Sequence, residues 1–366
     1  MSDASLLSSL FIADTPLLDV RAPVEYDQGH FPQSVNLPLL DDEQRKLVGM
    51  RYKAAGQDAA IELGWSLASE ELREQKQKAW LAWLDANPDG VLYCFRGGLR
   101  SRLSQQLIGE AGRQVRCIPG GYKAMRTFLL AEIARASSEL PLVLVSGRTG
   151  VGKTRLLRQL PNFIDLEKRA CHRGSAFGAL IGRRPVQISF ENAVAVDMLK
   201  NRHVNAPKVF VEDEGRLIGR VHLPLELQVA MKAAPLVVLE TDIDTRIDNV
   251  LKDYVTDNLA SYRASYGASG FKEFGLALQQ NLARIQKRLG GALYKSLSTQ
   301  LADALDALIA AEDQTGFREI IRCLLEDYYD PMYDYQLERR QGTILERGNM
   351  NELLHWAALN GLEGKL

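Results

Sequence analysis

The stretch Gly147-Arg148-Thr149-Gly150-Val151-Gly152-Lys153-Thr154 constrains this chain more than any other. It follows the apolar run Leu142-Val143-Leu144-Val145 and precedes Arg155-Leu156-Leu157-Arg158, so G-x-x-x-x-G-K-T lies between a predicted strand and a predicted helix. In that context the spacing cradles phosphate. The glycines let the backbone turn its amides inward, Lys153 reaches further phosphate oxygens, and Thr154 offers a hydroxyl to Mg²⁺. A glycine-rich turn of no particular purpose would not need the lysine and threonine in register. The loop therefore implies an α/β domain with a di- or triphosphate site at Gly147, Gly150, Gly152, Lys153 and Thr154. A carboxylate for the metal is expected at a nearby strand end, and Val209-Phe210-Val211-Glu212-Asp213-Glu214 offers Glu212 and Asp213; the alternative is that these acids pair with Arg216 or Arg220. No residue that would position an attacking water is identifiable, so the motif does not imply ATP hydrolysis.

Apolar runs and helical periodicity place the loop in a larger plan. Strands are expected at 142–146, Lys208 to Val211 and Pro235 to Glu240, with helices from about residue 152 and about Thr245. Beyond about residue 260 the strand signals stop; Leu278, Leu282, Ile285 and Leu289, then Leu297, Leu301, Leu305 and Leu308, each line one face of a helix. This helical part either completes the P-loop domain or covers its ligand. The first 135 residues alternate short apolar runs (Leu17 to Val20, Val91 to Cys94, Val115 to Ile118) with helical patterns at Leu72 to Leu84 and Ser101 to Gly112, which argues a separate parallel α/β domain. The polar segment Ala134-Arg135-Ala136-Ser137-Ser138-Glu139-Leu140-Pro141 reads as a linker, giving three parts: 1–137, 138–260 and a helical 261–366. A length of 366 residues suits two or three domains.

Charge and cysteine usage exclude some functions. A net charge of −1 is not that of a generally basic nucleic-acid binder, yet residues 146–222 hold 14 Lys and Arg against 7 Asp and Glu, while 223–366 hold 15 against 21. The middle segment could meet a polyanion, although its arginines have acidic partners available downstream. Four cysteines, Cys94, Cys117, Cys171 and Cys323, without C-x-x-C spacing suit neither a disulfide framework nor a zinc site. With no run of eighteen apolar residues and no basic stretch ahead of an apolar one at the N-terminus, a cytoplasmic protein with no membrane association is expected.

Cys94 stands apart from the other three. In Leu92-Tyr93-Cys94-Phe95-Arg96-Gly97-Gly98-Leu99-Arg100-Ser101 it ends a buried strand and precedes a glycine turn and a helix. Backbone amides converging there stabilise a thiolate, Arg96 and Arg100 add positive charge and contacts to a tetrahedral oxyanion, and Gly97 and Gly98 let the loop close on it. The loop resembles that of the rhodanese family. So do Leu18-Asp19-Val20-Arg21-Ala22-Pro23-Val24-Glu25-Tyr26, Gly29-His30-Phe31-Pro32-Gln33-Ser34-Val35-Asn36-Leu37-Pro38 and Pro119-Gly120-Gly121-Tyr122, which cover most of residues 12–135 in order. The resemblance implies that Cys94 takes a chalcogen atom from a donor and carries it. Five residues separate Cys94 from Arg100, where many rhodaneses have four; a C-x5-R loop also resembles the cell-cycle dual-specificity phosphatases, although Tyr93 stands where those usually have histidine. Both resemblances imply a thiolate beside a phosphate-sized anion pocket.

A last motif, His172-Arg173-Gly174-Ser175, follows Asp165-Leu166-Glu167 in the basic segment, and His172, Arg173 and Ser175 are candidate contacts to phosphate or a base. The C-x-R-G-G-x-R-S loop, the order of rhodanese-like and P-loop parts, and this motif together resemble the tRNA 2-selenouridine synthase family. That resemblance implies a tRNA-modifying transferase acting on the anticodon loop, which converts wobble 2-thiouridine to 2-selenouridine by way of S-geranylation. Selenophosphate and geranyl diphosphate would be its co-substrates, a selenophosphate-producing enzyme would be its donor source, and it would have no tightly bound cofactor beyond Mg²⁺ at Thr154, Glu212 and Asp213. The motifs leave open a sulfurtransferase fused to a P-loop small-molecule kinase, a C-x5-R phosphatase, or a non-catalytic tRNA-binding module.

Overall fold

Four short strands, β1 (Leu17–Asp19), β2 (Ser34–Asn36), β3 (Val91–Tyr93) and β4 (Arg116–Cys117), form a parallel sheet in the order β2-β1-β3-β4. The computed structural model describes residues 3–182, 184–340 and 342–360; the extreme ends of the expected first and third parts lie outside them. β1 and β3 are buried along their whole length, as strands covered on both faces must be, and read as plain apolar runs. Helices Glu70–Ala86 and Leu99–Glu110 cover the sheet, and fully buried Trp80 packs under it while donating its indole N–H to the Leu37 carbonyl at 2.9 Å. β1, β3, β4 and these two helices fall where the sequence places them, while β2 lies in a stretch the sequence did not mark as a strand.

A second parallel sheet takes β5 (Leu142–Ser146), β6 (Phe163–Ile164), β7 (Val209–Glu212), β10 (Leu236–Leu239) and β11 (Ile344–Gly348), in the order β11-β10-β5-β7-β6. A two-stranded antiparallel ribbon, β8 (Leu217–Ile218) with β9 (Val221–His222), follows β7. β5 lies between β10 and β7, so the loop leaving its C-terminal end opens at the edge where parallel α/β sheets bind ligands. Helices Gly270–Leu289, Gly291–Ala311 and Phe317–Leu324 follow β10 and share one apolar core built on Leu278, Leu282, Leu297, Leu301, Phe317 and Ile321.

Two expectations fail. The stretch read as a linker is helical: Gly121–Glu139 runs through it, with Met125, Leu129, Ile133 and Ala136 buried at spacings of four, four and three. Its alanines and charged residues favour helix, and the buried stripe outweighs the polar composition. Strands also do not end near residue 260. β11 returns to pair in parallel with β10, Leu239 beside Gly348, as an edge strand whose exposed Glu346 and Arg347 erase the apolar signature. By contact, the chain divides into two compact units, Met1–Ala136 with Val186–His203, and Ser137–Pro185 with Val204–Leu366. Helix Gln187–His203 thus belongs to the N-terminal unit, where it packs against helix Asp3–Ile12, Arg202 binds Glu132 and Lys200 binds Asp14. The basic middle segment is therefore divided between the two units.

Candidate functional sites

In the N-terminal unit Cys94 follows β3 directly, its side chain 3% exposed. The chain between Cys94 and Leu99 closes against the turn after β4: Tyr122 N–H donates to the Cys94 carbonyl at 2.8 Å and Lys123 N–H to the Phe95 carbonyl at 3.0 Å. Gly121, with φ +55°, allows this, because a Cβ there would lie 2.2 Å from the Cys94 carbonyl oxygen. Burial pushes the Cys94 thiol up. The Ser101 hydroxyl, the amides of Arg96 and Ser101 and the Arg100 guanidinium outweigh it, so the thiol ionises below its ordinary range. Ser101 is buried and its hydroxyl has no hydrogen-bond partner among the described protein donors and acceptors, leaving it free for the thiolate. Cys117, by contrast, is pushed up to about 11 by burial and then by Cys94.

The two arginines of the loop separate in role. Arg100 binds Glu25 through both nitrogens, Nη1 to Oε2 at 2.5 Å and Nη2 to Oε1 at 3.2 Å, which fixes its fork beside the loop. Arg96 contributes its backbone amide to the thiol environment, while its exposed side chain stands 5.9 Å from the Phe95 ring. Glu25 was legible only as part of the rhodanese-like signature, and Ser101 only as the residue after the arginine. Asp19 and Arg21 form a buried ion pair at 2.6 Å, with Arg21 over the Tyr122 ring at 3.9 Å; this pair ties the first signature to the glycine turn.

In the other unit, the G-x-x-x-x-G-K-T loop leaves β5 as expected. Gly147, with φ +146°, passes the Leu239 carbonyl where a Cβ would lie 2.5 Å from the oxygen. Lys153 Nζ donates to the Gly147 carbonyl at 2.7 Å, folded back across the loop it would share with a phosphate. Thr154 Oγ1 lies 2.6 Å from Glu212 Oε1 and 3.2 Å from Glu167 Oε2. Asp213 instead accepts from Ser146 at 2.7 Å and pairs with Arg340. The second carboxylate at Thr154 is thus Glu167, which the sequence shows only as part of Asp165-Leu166-Glu167 and not as a partner of the loop.

The carboxylates of this cluster raise one another. Burial pushes Glu167 up to about 9, reinforced by Glu212 and Glu214, and burial and Glu212 push Glu214 up to about 7; burial raises Glu212 as well. Glu212 Oε2 is buried with no hydrogen-bond partner among the described residues. A buried carboxylate oxygen without a donor is costly, and a divalent cation beside Thr154 would satisfy it. Among the described residues no three His, Cys, Asp or Glu side chains form a ready-made metal cage; a Mg²⁺ ion here would need phosphate or water oxygens as further ligands.

The P-loop, His172, Arg173 and Ser175 all line one cavity of about 1230 Å³. Ten lysine and arginine side chains reach it against five carboxylates, so it suits a polyanion despite the overall charge. Burial and the Arg184 guanidinium push His172 down, keeping it a neutral imidazole suited to a base edge. Arg173 lies 5.5 Å from the Tyr254 ring, and Ser175 Oγ hydrogen-bonds Tyr254 Oη at 3.0 Å. Tyr254 and Tyr329 lie on two π-helical turns, Leu251–Thr256 and Leu325–Tyr329, which widen their helices at the cavity. No helix among the described residues is long and apolar enough to cross a membrane.

Comparison with known proteins follows the same division. Residues 140–362 match the family described as tRNA 2-selenouridine synthase AAA domain, and residues 3–127 match the Rhodanese-like domain family. The chain is 46% identical over 346 residues to a protein of Alcanivorax borkumensis named tRNA 2-selenouridine synthase, covering 94% of this chain and 96% of that one. Proteins of the same name from Marinobacter nauticus and Pseudomonas entomophila are 47% and 46% identical, over 95% and 93% of this chain and 95% and 92% of theirs.

Proposed function

The chain belongs to the tRNA 2-selenouridine synthase family, and from that premise we propose that it converts wobble 2-thiouridine of tRNA to 2-selenouridine in two stages. One observation carries the reading: a phosphate-binding loop and the His172-Arg173-Ser175 segment line one basic cavity with tyrosines at its wall, which suits a diphosphate together with a splayed nucleotide. In the first stage the C2 sulfur attacks C1 of geranyl diphosphate, the C1–O bond breaks, diphosphate leaves, and the N3 proton of the base goes to solvent. The loop amides and Lys153 stabilise charge as it gathers on the departing diphosphate. Thr154, Glu212 and Glu167 are the residues that would hold Mg²⁺, which would neutralise further charge on that group.

The second stage is a substitution at C2, with geranyl thiolate as leaving group. Selenium in selenophosphate is already at the selenide level, so its transfer exchanges no electrons. A selenium atom carried on Cys94 as a perselenide would require phosphorus to leave as phosphite. The balanced route is attack of the Cys94 thiolate on phosphorus: the P–Se bond breaks, hydrogen selenide is freed, and water cleaves the phosphocysteine to phosphate. Hydrogen selenide then adds to C2, expels geranyl thiolate and leaves its proton on N3. Arg100, held by Glu25, and the loop amides contact the phosphate in this step. The partners of this reading are tRNA, through its anticodon loop, and a selenophosphate-producing enzyme, in the cytoplasm.

The test is mass spectrometry of nucleosides from tRNA incubated with the protein, selenophosphate and geranyl diphosphate. Cys94→Ser is expected to accumulate geranylated 2-thiouridine with no 2-selenouridine. Failure of that variant to geranylate would refute the division of labour between the two sites.

A further inference from the structure

Helix Gln187–His203 lies in the chain between β6 and β7 of the P-loop sheet, yet it belongs to the unit that holds Cys94. Two of its side chains grip His30 within the rhodanese-like signature: Ser189 Oγ accepts from the His30 amide at 3.1 Å, and the Asn192 amide donates to the His30 carbonyl at 2.9 Å. Asn192 is fully buried, and its oxygen accepts from Arg126 Nη1 at 2.8 Å; Arg126 also pairs with Glu191. The same Asn192 side chain hydrogen-bonds the Tyr122 hydroxyl. One side chain thus engages three partners outside its own helix. A buried amide costs free energy that an apolar side chain of its size does not, so what Asn192 supplies is a fixed arrangement of those partners.

Tyr122 carries that arrangement to the thiol. Its amide donates to the Cys94 carbonyl at 2.8 Å, its ring stacks on Phe95 with centroids 5.9 Å apart, and the Arg21 guanidinium lies 3.9 Å over its other contacts' ring plane. Phe95 leads directly to Arg96, whose amide is one of the groups at the Cys94 sulfur. We propose that Asn192 is a positioning residue of the Cys94 site: by holding the Tyr122 hydroxyl it fixes Tyr122 and Phe95, and with them the Arg96 amide beside the sulfur. The inference rests on the reading of Cys94 as the reactive thiol. The charged groups facing Tyr122 are Arg21, Arg126 and Asp19; Arg100, paired with Glu25, faces Cys94, and the neighbouring Cys117 is neutral at physiological pH. Substitutions that replace Asn192 or the Tyr122 hydroxyl with another uncharged group leave all of these in place, so a change in Cys94 acidity reports geometry.

The test is the pH dependence of iodoacetamide alkylation in the full chain, followed at the Cys94 peptide by mass spectrometry. Asn192→Ala and Tyr122→Phe should each raise the midpoint by about one unit, which leaves up to about tenfold less thiolate at neutral pH. The double variant should move it no further than Asn192→Ala does, because both changes break one route. Asn192→Ser, too short to reach the Tyr122 hydroxyl, replaces Asn192→Ala if that variant does not fold. A residue that only stabilised the fold would lower the melting temperature and leave the midpoint where it is. An unmoved midpoint in Tyr122→Phe or in the folded Asn192 variant overturns the proposal, and so do shifts that add in the double variant. If Cys94 of the wild type ionises no lower than an ordinary thiol, the reading of Cys94 fails and takes this inference with it. If the midpoints move as expected while 2-selenouridine forms at the wild-type rate, the positioning role stands and Cys94 is removed from the selenium step.

Discussion

Replacing Glu167 by glutamine tests the carboxylate cluster at Thr154 directly. Glu167 is held at about 9 by burial and by its neighbours Glu212 and Glu214, against an ordinary carboxylate value of 4.5. Between those values the folded protein keeps a proton on Glu167 that the unfolded chain has lost. Stability is then greatest at acid pH and falls as pH rises, by at most about 1.4 kcal/mol per pH unit for this one group. Between pH 6 and pH 8 the metal-free wild type should lose up to about 3 kcal/mol through Glu167, and Glu214, at about 7, adds a smaller loss over the lower half of that window. Glu167→Gln has the shape of the protonated acid and cannot titrate. It should match the wild type only below about pH 4.5, already exceed it at pH 6, and exceed it further at pH 8, as read by scanning calorimetry on the transition of the P-loop unit. Millimolar Mg²⁺ should raise the wild-type transition more at pH 8 than at pH 6, since binding requires the ionised carboxylates. Equal pH slopes in wild type and variant would refute the argument that these acids are raised by mutual burial.

Three further substitutions probe the two loops. Lys153→Ala should cut geranyl transfer by about 100-fold or more, on the scale of losing one charged stabiliser of a leaving group, and unchanged formation of geranylated tRNA would remove the P-loop from that step. Ser101→Ala should raise the pH midpoint of Cys94 alkylation by about one unit, as loss of one hydrogen bond to a charged group predicts; an unmoved midpoint would show that the hydroxyl does not stabilise the thiolate. Gly121→Ala, whose Cβ would fall 2.2 Å from the Cys94 carbonyl at φ +55°, should lower stability by roughly 1–3 kcal/mol and abolish selenation; a variant as stable and active as wild type would contradict the described closure of the loop.

Sequence alone determined those parts whose chemistry is local. A phosphate loop needs consecutive glycines, a lysine and a threonine, and an activated thiolate needs amides and arginines within a few residues, so Gly147 to Thr154 and Cys94 to Arg100 were legible as sites. The strands around them were legible too, because central parallel strands are continuous apolar runs. Folding decided what depends on meetings across the chain. Glu25 reaches Arg100 from 75 residues upstream, and Glu212 reaches Thr154 from 58 residues downstream. Glu167 lies only 13 residues from Thr154, yet its raised acidity comes from burial beside other carboxylates, which no spacing encodes. β11 was hidden because an edge strand carries polar residues, and the helix through residues 134–139 because its stripe of buried residues begins well before them. An apolar cavity beside the P-loop cavity was least accessible of all. The leucines of helices Gly270–Leu289 and Gly291–Ala311 read equally well as filled core, and only their three-dimensional packing leaves a space between them that opens on the P-loop.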